Sequence, residues 1–240
     1  MSVDASGPDV ASDVLAPPDG PTGDGGCPAA LYLMIDSSGS MATFDPGQMI
    51  TRWDNLSQAI PAFVDDPTHA GLMIGLDFFP EGGNTPSCMV ADYAMPNVGI
   101  DVIPGAGNAQ SKAIRDAVVG RMVSGGTPTT QALGGALQTA KAWQIAHPER
   151  TLGVLFMTDG QPTGCVAEGN TVAAAAMVAQ TYANDTPRVR TFVVGVGPDT
   201  GPLDAIAAGG GTTKAYMVTS GGAADVLKAL STIAVAVCGP

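Results

Sequence analysis

The sequence predicts an α/β protein with a doubly wound, mostly parallel sheet flanked by helices, and three observations predict it. Four almost wholly apolar runs, 31–35, 71–79, 152–157 and 191–196, read as strands buried on both faces. Helix-period segments lie between them, so strand and helix alternate along the chain. Gly and Pro, 32 and 19 of the 240 residues, mark many turns.

The elements follow in order. Residues 31–35 are the first strand. Residues 53–64 are a helix candidate that Pro61 should kink, because proline removes a helical hydrogen bond. Residues 71–79 are the second strand. Residues 89–93 and 98–103 read as a short antiparallel pair at one edge. Ala113, Ile114, Ala117 and Val118 fall on one helical face, and Leu133, Ala136, Leu137 and Ala140 repeat the spacing. Strand 152–157, an Ala-rich helix over 173–183 and strand 191–196 come next. Residues 214–218 look like a last edge strand and 223–237 like a closing helix.

Residues 1–26 have a different composition. They hold Asp4, Asp9, Asp13, Asp19 and Asp24 among Gly, Pro, Ser and Ala, with no Lys, Arg or aromatic side chain. Such a segment buries too little apolar surface to offset its ordering entropy and reads as a disordered acidic linker. Its Asp spacing lacks the Gly and Glu of an EF-hand loop. The expected domain is 27–238.

Net charge is −12, from 10 basic and 22 acidic side chains. A phosphate-tracking nucleic-acid binder needs basic clusters to displace counterions, so that class is excluded. No apolar stretch approaches the ~20 residues of a membrane span. Residues 1–26 have no basic start or apolar signal core, so an export signal, if the protein has one, is absent from this sequence.

Ligands of open parallel sheets bind beyond the carboxyl ends of the strands. Asp36-Ser37-Ser38-Gly39-Ser40 follows the first strand, and Thr158-Asp159-Gly160 follows strand 152–157. Gly125-Gly126-Thr127-Pro128-Thr129 is a Gly-rich loop before a helix. All three should meet at one sheet edge. Asp36 and Asp159 with Ser38, Ser40 and Thr127 make a hard oxygen donor set, suited to Mg²⁺, Mn²⁺ or Ca²⁺ and poorly suited to zinc or copper. Gly39 should permit the turn that aims Asp36, Ser38 and Ser40 at one point, and Gly125 with Gly126 should let the Thr127 loop approach the ion. Taken singly, these residues also fit a helix cap, an ordinary loop and an Asp-Gly turn. Those readings do not explain why oxygen donors follow two buried strands.

Other site classes fail on the residues. No phosphate loop, dinucleotide fingerprint, aspartyl-phosphate pattern or Gly-x-Ser-x-Gly elbow is present. His69 and His147, the two histidines, lie in loop-like sequence and form no evident Ser-His or Cys-His couple. Trp53 and Trp143 read as packing on the sheet, and the eleven Met residues as core filler.

Asp36-x-Ser38-x-Ser40, Thr127 and Thr158-Asp159-Gly160 together resemble the metal-ion-dependent adhesion site of von Willebrand factor type A domains. The resemblance covers residues 27–238. It implies a six-stranded mostly parallel sheet, with Ser38, Ser40 and Thr127 on the metal directly. Asp36 and Asp159 would bind it through water, or directly in one conformational state. It also implies capture of a protein partner whose Asp or Glu completes the metal's shell.

Four cysteines allow three pairings. Cys27 and Cys238 bracket the domain, whose ends often lie close in such folds, and make the natural pair. Cys88 and Cys165 lie in loops that should flank the metal crevice, and a bond between them would brace its rim. A Cys shortly after Thr-Asp-Gly also resembles bacterial extracellular members of the family. Disulfides imply an extracellular, cell-surface or periplasmic location, with a lipid anchor conceivable upstream of the acidic segment. The reading is a non-enzymatic, Mg²⁺-dependent protein-binding domain. Its rivals are a metal-assisted hydrolase, which needs a general base and a clamping Arg, and an intracellular subunit of an ATP-driven assembly.

Overall fold

The first apolar run becomes the middle of a six-stranded sheet. A computed structural model describes residues 28–45, 47, 49–103, 106–198, 202–219 and 222–238, apart from the side chain of residue 238. The expected acidic linker, 1–26, lies outside the described residues. So does the expected Cys27–Cys238 bond.

The strands are β1 (Ala29–Asp36), β2 (Met73–Phe79), β3 (Val98–Val102), β4 (Thr151–Thr158), β5 (Arg190–Val196) and β6 (Tyr216–Val218). The helices are α1 (Arg52–Asp65), α2 (Ala109–Gly120), α3 (Thr129–Ala146), α4 (Val172–Ala183), α5 (Leu203–Gly209) and α6 (Gly222–Cys238). The sheet order is β3-β2-β1-β4-β5-β6, and β3 alone runs antiparallel. The order reverses between β1 and β4. That makes a switch point, with a crevice at the strands' carboxyl ends.

Side-chain alternation explains the apolar runs. Leu31, Leu33 and Ile35 of β1 join one core with α1, α2 and α6, while Ala30, Tyr32 and Met34 join a second with α3, α4 and α5. Both faces are dry, so the strand carries no polar alternation.

Three points differ from expectation. Residues 90–93 form a 3₁₀ turn, not a strand, and β3 pairs with β2 instead. The turn is set by α3: a Cβ on Gly135 would come within 2.4 Å of the Tyr93 backbone, so the missing side chain gives the turn its seat. Helix α1, expected over 53–64, spans Arg52–Asp65 with Pro61 inside it. Buried Leu56, Ile60, Phe63 and Val64 pin it to the sheet, and a Thr51–Asp54 capping box fixes its start. Residues 39–42 form a 3₁₀ turn in which Gly39 has no left-handed backbone, so that turn does not depend on glycine. Finally, α5 was not expected, because seven residues are too short to display a helical period.

Candidate metal centre

The three loops converge at the carboxyl end of the sheet. β1 delivers Asp36, which is fully buried. Its Oδ1 accepts from the Ser38 backbone N–H at 2.8 Å, and its Oδ2 accepts from the Thr158 hydroxyl at 2.6 Å. Thr158 thereby ties β4 to β1 directly beneath the site. Ser38 and Ser40 hydroxyl oxygens lie 3.0 Å apart, and Ser40 Oγ donates to Asp159 Oδ1 at 2.8 Å. Asp36, Ser38, Ser40 and Asp159 therefore form one continuous polar group.

Thr127 reaches the same place by another route. Its loop exchanges two backbone bonds with Thr163, each 3.0 Å, and its N–H also approaches Thr163 Oγ1 at 2.9 Å. Asn170, which sequence reasoning did not single out, clamps both loops. Its Nδ2 donates to the carbonyls of Thr127, Gly164 and Thr163 at 2.9, 3.0 and 3.3 Å. Its Oδ1 accepts from the Thr130 N–H at 3.0 Å. The glycine before Thr127 is required here: Gly125 has φ +83°, and a Cβ there would lie 2.1 Å from the Gly83 carbonyl. The Gly39 N–H donates to the Gly125 carbonyl at 3.0 Å, which joins the Ser loop to the Thr127 loop.

A cleft of about 700 Å³ opens over these groups, lined by Ser40, Thr127, Asp159, Thr163, Gln161 and Arg52 among others. Asp36 and Ser38 lie beneath its floor, almost without exposure. Arg52 is the second residue that sequence reasoning missed. From the first position of α1 it donates through Nη1 to Asp159 Oδ2 at 2.8 Å and through Nε to Asp45 Oδ1 at 2.7 Å. Burial alone would lower its pKa, but the hydrogen bonds to Asp45 and Asp159 outweigh burial and raise it.

Electrostatics fit a cation. Burial, followed by the charge of Asp159, pushes the Asp36 carboxyl up to about 7 against the pull of its hydrogen bonds to Ser38 and Thr158. Buried beneath a hydroxyl-lined cleft and beside the charge of Asp159, Asp36 is disfavoured in its ionised form unless positive charge joins it. Every polar donor of the set is a hard oxygen, which suits Mg²⁺, Mn²⁺ or Ca²⁺. Beside the cleft, Cys88 and Cys165 form a disulfide with Cα atoms 5.4 Å apart. It joins the loop after β2 to the loop after β4, as expected for a brace on the rim.

The architecture now meets its counterparts among solved structures. The pilus adhesin SpaC from Lactobacillus rhamnosus GG superposes over 88% of this chain with TM-score 0.62 and 17% identity. The VWA domain of SpRpn10 covers 85% of this chain, at TM-score 0.53 and 12% identity, and this chain covers 94% of that domain. The fold is von Willebrand type A-like. Manganese-loaded Plasmodium vivax TRAP protein matches over 85% of the chain and 73% of its own, at TM-score 0.53 and 18% identity. The chain spans only 30% of SpaC's length. No protein-family model matches, and no curated protein matches either.

Proposed function

We propose that this type A-like domain binds a divalent cation, Mg²⁺ in the first instance, and through it captures the exposed Asp or Glu of a protein partner. The observation that carries this reading is the single hydrogen-bonded group in which Ser40 and Asp159, lining the cleft together with Thr127, connect to Asp36 and Ser38 buried beneath it. Ser38, Ser40 and Thr127 would hold the ion, with Asp36 and Asp159 supplying charge through water or directly. When bound, the ion supplies an electrophilic position for an external carboxylate. Hydroxyl ligands leave most of its charge uncompensated, so an acidic ligand is favoured. The structural neighbours, an adhesin and a manganese-loaded protein, support this reading at the level of fold.

The domain is read as a binding module, not an enzyme. Arg52 lines the cleft as a hydrolase's clamp would, but two of its donors are committed to Asp45 and Asp159. The Cys88–Cys165 disulfide supports an extracellular, cell-surface or periplasmic setting. Among the described residues, no helix is long and apolar enough to cross a membrane.

Isothermal titration of Mg²⁺ tests the reading. Binding is expected for the intact chain and is lost in Asp36→Ala and Thr127→Ala, each with an unchanged circular dichroism spectrum. Undiminished affinity in Asp36→Ala overturns the assignment.

A further inference from the structure

Arg52 stands where local helix physics does not want it. It is the first residue of α1, and the partial positive charge of a helix N-terminus favours acids over bases. Its side chain is buried as well, at 7% exposure, and burying a guanidinium is costly without partners. A residue that breaks a local rule is placed by something beyond its own element.

What places it is a slot built from three separate segments. Asp45 lies on one side and Asp159 on the other, at 2.7 and 2.8 Å. Gly197, just past β5, makes room: with φ +95°, a Cβ there would come within 2.6 Å of Arg52 Nε and 2.7 Å of Cζ. Among the described lining residues of the cleft, Arg52 alone is basic.

The pairing divides Asp159 in a defined way. Oδ1 takes the Ser40 hydroxyl and Oδ2 takes Arg52 Nη1. Half of this carboxylate faces the hydroxyls, and the other half is held by a fixed positive charge. A cation at the hydroxyls would therefore meet an Asp159 already shared with Arg52, and would feel the guanidinium across one carboxylate group.

We propose that Arg52 is a positioning residue and built-in counter-charge for Asp159, which holds the cation affinity of the cleft down and leaves more of the ion's charge for an incoming acid. The proposal rests on the cation-binding reading above and specifies how that site is regulated by its own chain. It makes Arg52 act through Asp159, with Asp45 setting how much of the Arg52 charge reaches the site. A guanidinium shared between two carboxylates repels the ion less than one shared with Asp159 alone.

The test is titration calorimetry of Mg²⁺ alone into the full chain and three variants. Arg52→Met is expected to bind Mg²⁺ about tenfold more tightly than wild type, the scale of removing one unit charge from a partly buried site. Arg52→Lys keeps the charge and is expected to stay within about threefold of wild type on the same grounds. Asp45→Asn is expected to bind severalfold more weakly. A purely structural role for Arg52 predicts weaker binding in both Arg52→Met and Asp45→Asn, so the opposite signs separate the two accounts. Equal or weaker binding by a folded Arg52→Met overturns the proposal. Should that variant not fold, unchanged or tighter binding by Asp45→Asn overturns it. Wild type that binds no Mg²⁺ overturns the cation site itself, and this inference with it.

Discussion

Asp36 at the end of β1 and Asp77 near the end of β2 are buried alike, at 0% and 3% exposure, and burial pushes both carboxyls up to about 7. Their surroundings differ. Asp36 is held by two donors, the Ser38 N–H and the Thr158 hydroxyl, and lies within the field of Asp159. Asp77 points the other way from the core-facing Ile74, Leu76 and Phe78, and its Oδ2 has no hydrogen-bond partner. Buried Tyr32 on the neighbouring strand likewise has an unpartnered hydroxyl. Equal burial therefore yields two kinds of acid. One lies beneath a cleft beside a second acid and two hydroxyls, and the other lies within a helix–sheet layer with the Phe78 and Asn97 backbone as its donors and one oxygen unpartnered. Burial and a raised pKa do not by themselves mark a functional carboxylate. A second acid and hydroxyls converging on one cleft do.

The sharpest break in the comparison is metal binding. Asp77→Asn is expected to leave Mg²⁺ affinity at the wild-type value in the titration where Asp36→Ala loses measurable binding. Equal losses in the two variants would erase the distinction.

The pH dependence of stability is the next largest effect. Folded Asp77 keeps its proton up to about pH 7, whereas the unfolded chain releases it near the ordinary aspartate value of 3.8. Between those values the folded state binds more protons, so stability falls as pH rises and levels off above about 7. The ionised carboxyl costs about 4 kcal/mol at pH 8 relative to pH 4. Urea unfolding should show a fall with pH that is larger in wild type than in Asp77→Asn by this amount, the remainder in the variant coming from Asp36. Parallel pH profiles would contradict it.

A smaller effect concerns the clamp on the Thr127 loop. Asn170→Ala removes the donor to three carbonyls and the acceptor for Thr130 N–H, at a cost of about 2 kcal/mol in unfolding free energy. Mg²⁺ affinity should fall severalfold, because Thr127 is the residue that the clamp positions. A loss of stability with no change in affinity would detach Asn170 from the site.

Much of the sheet was legible because its strands are dry on both faces. Leu31, Leu33 and Ile35 fill one core and Ala30, Tyr32 and Met34 the other, which leaves a run of apolar residues on the page. Residues 89–93 look similarly apolar, yet they form a 3₁₀ turn because α3 offers the glycine seat at Gly135. That seat is a tertiary fact with no local trace. Pro61 does not end α1, since one lost helical bond weighs less than the packing of Ile60, Phe63 and Val64.

The site divides along the same line. Asp36, Ser38, Ser40, Thr127 and Asp159 were legible because each follows a strand or opens a helix at the sheet edge. Arg52 and Asn170 were not, because their roles exist only in pairings of 107 residues, for Arg52 with Asp159, and 43 residues, for Asn170 with Thr127. One signal was available for Arg52: a base at the first position of a helix whose capping box is otherwise regular. Asn170 stands one residue before the Thr171 cap of α4, and nothing local distinguishes it from loop polarity.

The most direct test of the central claim is a crystal structure of this chain grown with Mn²⁺, with anomalous scattering recorded to locate the ion. The account predicts one strong anomalous peak in the cleft, bonded to Ser38, Ser40 and Thr127 oxygens. A cleft without a peak at saturating Mn²⁺, or an ion held by other residues, would contradict it.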